Sequence, residues 1–185
     1  MSDITAALIL VDIQNDYFPN GRNELEGPQA AGEQATRLLL AFRQQALPLV
    51  HIQHISNRPG AIFFLPGTPG AEIHASVAPL AGETLFEKHF PNSFRETPLL
   101  DHLKKLQVSR LVIVGMMTHM CIDATTRAAN DFGFECWLAQ DACATKTLKF
   151  MDEVVPAAHV HAAFLAALTS YARILSVDEI LSSLK

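Results

Sequence analysis

Cysteine is scarce in this chain: Cys121, Cys136 and Cys143 are the only three among 185 residues. No two are spaced as CxxC, which argues against a disulfide framework, a zinc knuckle and a dithiol redox centre, and each is expected to be a free thiol. No GxGxxG, GxxxxGKS or GxxxxGKT turn follows an apolar run, so the phosphate cradle of a doubly wound nucleotide-binding module is missing. Positive charge is sparse as well. The 14 Lys and Arg are outnumbered by 19 Asp and Glu, and only Lys104 and Lys105 are adjacent, so no basic stripe exists to follow a nucleic acid backbone. Long hydrophobic runs are also lacking. The N-terminal AALILV has no basic residues before it and is far too short for a signal-peptide core or a membrane span, which predicts a cytoplasmic protein with no membrane partner.

What is present reads as one α/β domain over residues 1–185. A hydrophobic content of 49% over this length can bury one sizeable core and is short for two. Short apolar runs alternate with helical periods, the pattern of a parallel sheet covered by helices on both faces. Strands are predicted at 6–12, 48–53, 84–89, 110–115, 134–139 and 173–176. Helices are predicted over 30–46, 98–106, from the Cys121 region to Gly133, and behind Pro156, where Val160, Ala163, Phe164, Ala167, Leu168 and Tyr171 form one stripe. Ser176 and Glu179 are spaced as a capping box for a closing helix. Residues 56–82 are rich in Gly and Pro and show no period; a loop of that length inside a compact domain usually serves function.

Open sheets of this kind bind ligands beyond the carboxyl ends of their strands. Three polar residues fall there: Asp12 after LILV, Lys88 after TLFE, and Cys121 beyond RLVIVG. Singly, each has an ordinary reading: a turn-capping acid, a solvated lysine, a small buried thiol. Together they make a base, a charge stabiliser and a nucleophile. A helix start and a nearby ammonium both favour thiolate, so Cys121 is expected to be activated in this way.

Around these residues the sequence resembles the isochorismatase-like cysteine hydrolases. The matching segments are LILVDIQNDYF (8–18), EKHFPNSF (87–94) and VGMMTHMCIDATTRAA (114–129), in that order. The resemblance implies a three-layer Rossmann-like fold with a six-stranded, mostly parallel sheet, and a triad of Asp12, Lys88 and Cys121. It implies a cis peptide between Met116 and Met117, with the amides of Met117 and Cys121 as an oxyanion hole. It also implies no cofactor, a small amide-like substrate and a homo-oligomer, dimer or larger. Relatives that hydrolyse the vinyl ether of isochorismate lack the nucleophilic cysteine, so Cys121 directs the resemblance to hydrolysis of amide, carbamoyl or lactam C–N bonds through a thioester.

The metal-dependent nicotinamidase branch would need an acidic ligand after the second strand. Gln53 stands in that region, and no Asp occurs between Asp16 and Asp101. His51, His54 and His74 are left as candidate ligands without a carboxylate, so no metal is expected; His51 reads as a strand residue that finds a hydrogen bond. Expected pocket walls are Phe18, Gln53, His54, Asn92, Thr118 and His119. Phe63 and Phe64 read equally well as walls or as the long loop's own anchor. Cys136, Cys143 and Arg127 are read as structural. A catalytically silent interaction domain of the same fold remains the competing class.

Overall fold

The computed structural model describes residues 5–184. Along the chain come β1 (Ala6–Val11), α1 (Pro28–Gln44), β2 (Leu49–His54), β3 (Thr84–Lys88), α2 (Leu99–Lys105), β4 (Arg110–Met116), α3 (Asp123–Asp131) and β5 (Glu135–Ala144). A short hairpin of β6 (Leu148–Phe150) and β7 (Glu153–Val155) follows, then α4 (Ala157–Leu168), β8 (Arg173–Leu175) and α5 (Val177–Ser183). Six strands form one parallel sheet in the order β3-β2-β1-β4-β5-β8.

The period of two in β1 divides the interior. Leu8 and Leu10 face a core completed by α1 and α5. Ala7, Ile9 and Val11 face a second core built with α2, α3 and α4. A strand buried on both faces needs apolar residues throughout, which is why AALILV is unbroken. After β3 the chain crosses back to place β4 on the other side of β1, so the order reverses at β1 and opens a crevice at the carboxyl ends of β1 and β4.

Gly115 allows these two strands to approach. Its φ is +128°, and a Cβ there would run into the backbone of Val11. A register shift between β4 and β5 falls at the same place.

Two boundaries depart from expectation. β5 continues to Ala144 instead of stopping near 139, because pairing with β4 resumes beyond the shift, at Gly115 and Met116, and carries the half-buried Gln140 and Asp141 along. The β6–β7 hairpin lies where no strand was predicted; its β residues are mostly exposed, so burial left no periodic mark on the sequence. The capping box of Ser176 and Glu179 is formed. No helix among the described residues is long and apolar enough to cross a membrane.

Candidate active site

Each of the three marked residues is delivered by a strand end. Asp12 follows β1 with a left-handed φ of 52°, a costly conformation for a non-glycine residue that turns the chain out of the sheet. Lys88 closes β3, two strands away, so its stem reaches across the end of β2. Cys121 lies in a π-helical turn, Thr118–Ile122, which joins β4 to α3; the α-helix itself begins at Asp123. The Met116–Met117 peptide ahead of this turn is cis.

The three side chains converge. Lys88 Nζ donates to Asp12 Oδ2 at 2.7 Å, to Phe90 O at 3.0 Å and to Cys121 Sγ at 3.3 Å, and lies 3.1 Å from His54 Nδ1. Lys88 is 1% exposed and Asp12 is fully buried. The second carboxylate oxygen, Asp12 Oδ1, is buried with no partner of its own, and the Cys121 sulfur lies within 4.8 Å of this carboxylate. A buried acceptor in that state is a ready seat for a proton.

Electrostatics correct one expectation. Burial pushes the Cys121 thiol up, the Asp12 carboxylate adds to this, and Lys88 offsets only part. The ammonium already balances Asp12, so ionising the thiol would leave a net buried negative charge; these surroundings favour the thiol over the thiolate that a helix start suggested. Burial also opposes the Lys88 charge, but Asp12 and Cys121 raise its pKa above the ordinary value.

A narrow cavity of about 80 Å³ opens onto the sulfur, lined by Tyr17, His54, Ser56, Asn57, Arg58, Phe63, Phe64, His89, Pro91, Met117, Met120 and Cys121. His54, Phe63 and Phe64, expected as walls, are in this lining. The other expected walls are not among the lining. Phe18 stacks on His74 at 3.6 Å, because the turn Asn15–Tyr17 rotates Tyr17 toward the cavity instead. The Gln53 amide donates to Ala71 O, and Asn92 accepts from the Phe94 amide. Thr118 bonds His161 at 2.9 Å and His119 bonds Thr145 at 2.6 Å, both behind the cysteine turn.

The DIQNDY segment does more than carry Asp12. Gln14 donates to the carbonyls of His54 and Ala71 and accepts from the His54 amide, tying β2 to the long loop. Asp16, 3% exposed, accepts from the amides of Phe64 and Arg22 at 2.6 and 3.1 Å. These buried polar residues and Tyr17 were legible as types but carried no spacing signal; Ser56, Asn57 and Arg58 follow a strand carboxyl end and were discoverable by that rule alone.

Asp12, His54 and Cys121 offer potential metal-ligand atoms within 4.8 Å of one another, the one such group among the described residues. The Lys88 ammonium contacts all three and repels a second cation there. His51 is held by Glu83 at 2.9 Å and His74 by Ser76 at 2.8 Å, so the three histidines weighed as ligands do not gather. Arg127 pairs with Asp123 and covers Tyr171. Cys136 and Cys143 are buried, with thiols pushed up to about 12 by burial.

The family model for the isochorismatase domain matches residues 6–179. The chain belongs to the isochorismatase family. It is 50% identical over 179 residues to the isochorismatase family protein YddQ of Bacillus subtilis, covering 96% of this chain and 99% of that one. A solved structure from Oleispira antarctica, described as an isochorismatase hydrolase, superposes with a TM-score of 0.93 at 52% identity, over 98% of each chain. The streptothricin hydrolase of Streptomyces noursei is 33% identical over 155 residues, 82% of this chain and 60% of its own.

Proposed function

We propose that this isochorismatase-family protein is a cysteine hydrolase that cleaves a C–N bond of a small molecule through a thioester on Cys121. The observation that carries this reading is the unpartnered Asp12 Oδ1, buried beside a thiol whose neighbour Lys88 already balances the other carboxylate oxygen. As sulfur approaches a substrate carbonyl, its proton passes to Asp12 Oδ1. The net charge of the buried group does not change, so the transfer needs no compensating ion.

The S–C bond forms, and the carbonyl electron pair moves onto oxygen. The amides of Met117 and Cys121 receive the oxyanion, each worth about 3 to 4 kcal/mol if it acts like oxyanion-hole donors elsewhere. Asp12 returns the proton to the nitrogen, the C–N bond breaks, and the amine or ammonia leaves. Water, deprotonated by Asp12, then attacks the thioester, and the thiol is restored as the acid departs. Relatives named as a nicotinamidase and a maleamate amidohydrolase support the choice of C–N chemistry.

A screen of small amides, ureido compounds and lactams for ammonia or amine release tests the reading. The Cys121→Ala protein should show no turnover with circular dichroism unchanged, and the wild-type sulfur should carry a substrate-derived acyl mass under rapid quench. Full activity in Cys121→Ala would sink the mechanism.

A further inference from the structure

The tautomer of His54 follows from its neighbours. An ammonium accepts no hydrogen bond, so a hydrogen on His54 Nδ1 would point at Lys88 Nζ only 3.1 Å away; a bare Nδ1 is the tautomer this contact favours, the ammonium sharing its three hydrogens among four neighbours. Burial holds this imidazole down at about 4, so the ring is neutral at ordinary pH and its one hydrogen is on Nε2. The other hydrogen bonds of His54 are made by its backbone, and the ring lines the cavity, which leaves Nε2–H for a ligand.

Arg58 lines the same cavity, close enough for its charge to disfavour protonation of His54, and its guanidinium makes no ion pair among the described residues. These two donors, one of them cationic, line a cavity whose other polar groups are Tyr17, Ser56, Asn57 and His89, with no carboxylate among them. Phe63, Phe64, Pro91, Met117 and Met120 make the apolar part of the wall. A ligand that satisfies both halves has a compact apolar body and an anionic acceptor.

We propose that the site takes small amides bearing a carboxylate, or a comparable oxyanion, a few bonds from the scissile carbonyl, received by His54 Nε2–H and the Arg58 guanidinium. This rests on the hydrolase reading for the word amide, but the receptor can be tested without turnover. Iodoacetate and iodoacetamide alkylate the same sulfur and differ in charge. Measured at Cys121 by peptide mass spectrometry, the iodoacetate-to-iodoacetamide rate ratio should exceed that of a short cysteine peptide by about fivefold or more, the scale of a partly exposed ion pair. Arg58→Gln and His54→Phe should each lower this ratio toward the peptide's value, while Lys149→Gln, on the distant hairpin, should keep it.

A wild-type ratio equal to the peptide's, or a preference that survives in Arg58→Gln, overturns the receptor. On the hydrolysis side, monoamides of short dicarboxylic acids should show a lower KM than their methyl esters. Equal cleavage of both, lost in Cys121→Ser, would remove the anion receptor and leave the hydrolase intact. A strong iodoacetate preference with no amide cleaved would keep the receptor and remove the hydrolase.

Discussion

Removing the Lys88 ammonium would leave the Asp12 carboxylate in the interior without a counter-charge. Lys88→Met keeps most of the stem's volume and deletes the charge, and breaking a buried pair in this way costs about 3 to 5 kcal/mol. Urea unfolding should show that loss, with turnover gone as well; a variant as stable as wild type would mean that the ammonium contributes nothing to holding the fold. At this scale the sequence marked Asp12, Lys88 and Cys121 by their places at strand ends. It could not give the state of the thiol, because a pKa depends on burial and on charges that arrive from elsewhere in the chain: Asp12 lies 109 positions from Cys121 in the sequence and within 4.8 Å in space. Tyr17 and Phe18 illustrate the same limit, since a single 3-10 turn decides which of two adjacent aromatics sees the cavity.

Among the elements, the segment 56–82 is the one whose form the sequence left open. It is tied to the sheet by Gln14, Asn15 and Asp16, whose side chains bond Ala71, Pro69 and Phe64. Phe64 sits at φ 55°, its amide donating to Asp16 and its carbonyl accepting from the Ser56 amide, so a carboxylate and a backbone amide anchor this wall. Asp16→Ala should leave that amide buried without a partner, at about 1 to 3 kcal/mol. Hydrogen exchange over residues 61–66 should accelerate, and KM should rise more than kcat falls; unchanged exchange there would show that the loop holds itself. The strands, by contrast, were readable because burial on both faces writes an unbroken apolar run. The β6–β7 hairpin left no such mark for the opposite reason, being mostly exposed.

For the whole molecule, titration sets a window of stability. Burial lowers the pKa of His51, His74, His102, His119 and His161, and takes His54 from 6.5 to about 4. The unfolded chain therefore binds more protons than the folded one once the pH drops below 6.5, and stability falls with it. Glu83, held at about 2 by its hydrogen bond to Arg43, extends the loss further into acid. On the alkaline side, the thiols of Cys121, Cys136 and Cys143 are raised above 9.0, so they ionise first in the unfolded chain and stability falls again. Denaturant midpoints should form a plateau between about pH 6.5 and 9 and decline on both sides. A midpoint at pH 5 equal to that at pH 7.5 would contradict the neutral buried imidazoles. The layer architecture and the approximate order of elements were determined by the sequence alone, through apolar periodicity and the polar residues that interrupt it at strand ends. The tertiary structure alone decided the resting thiol, the bare Nδ1 of His54 and the identity of the cavity wall, because each depends on distances between segments that are remote along the chain.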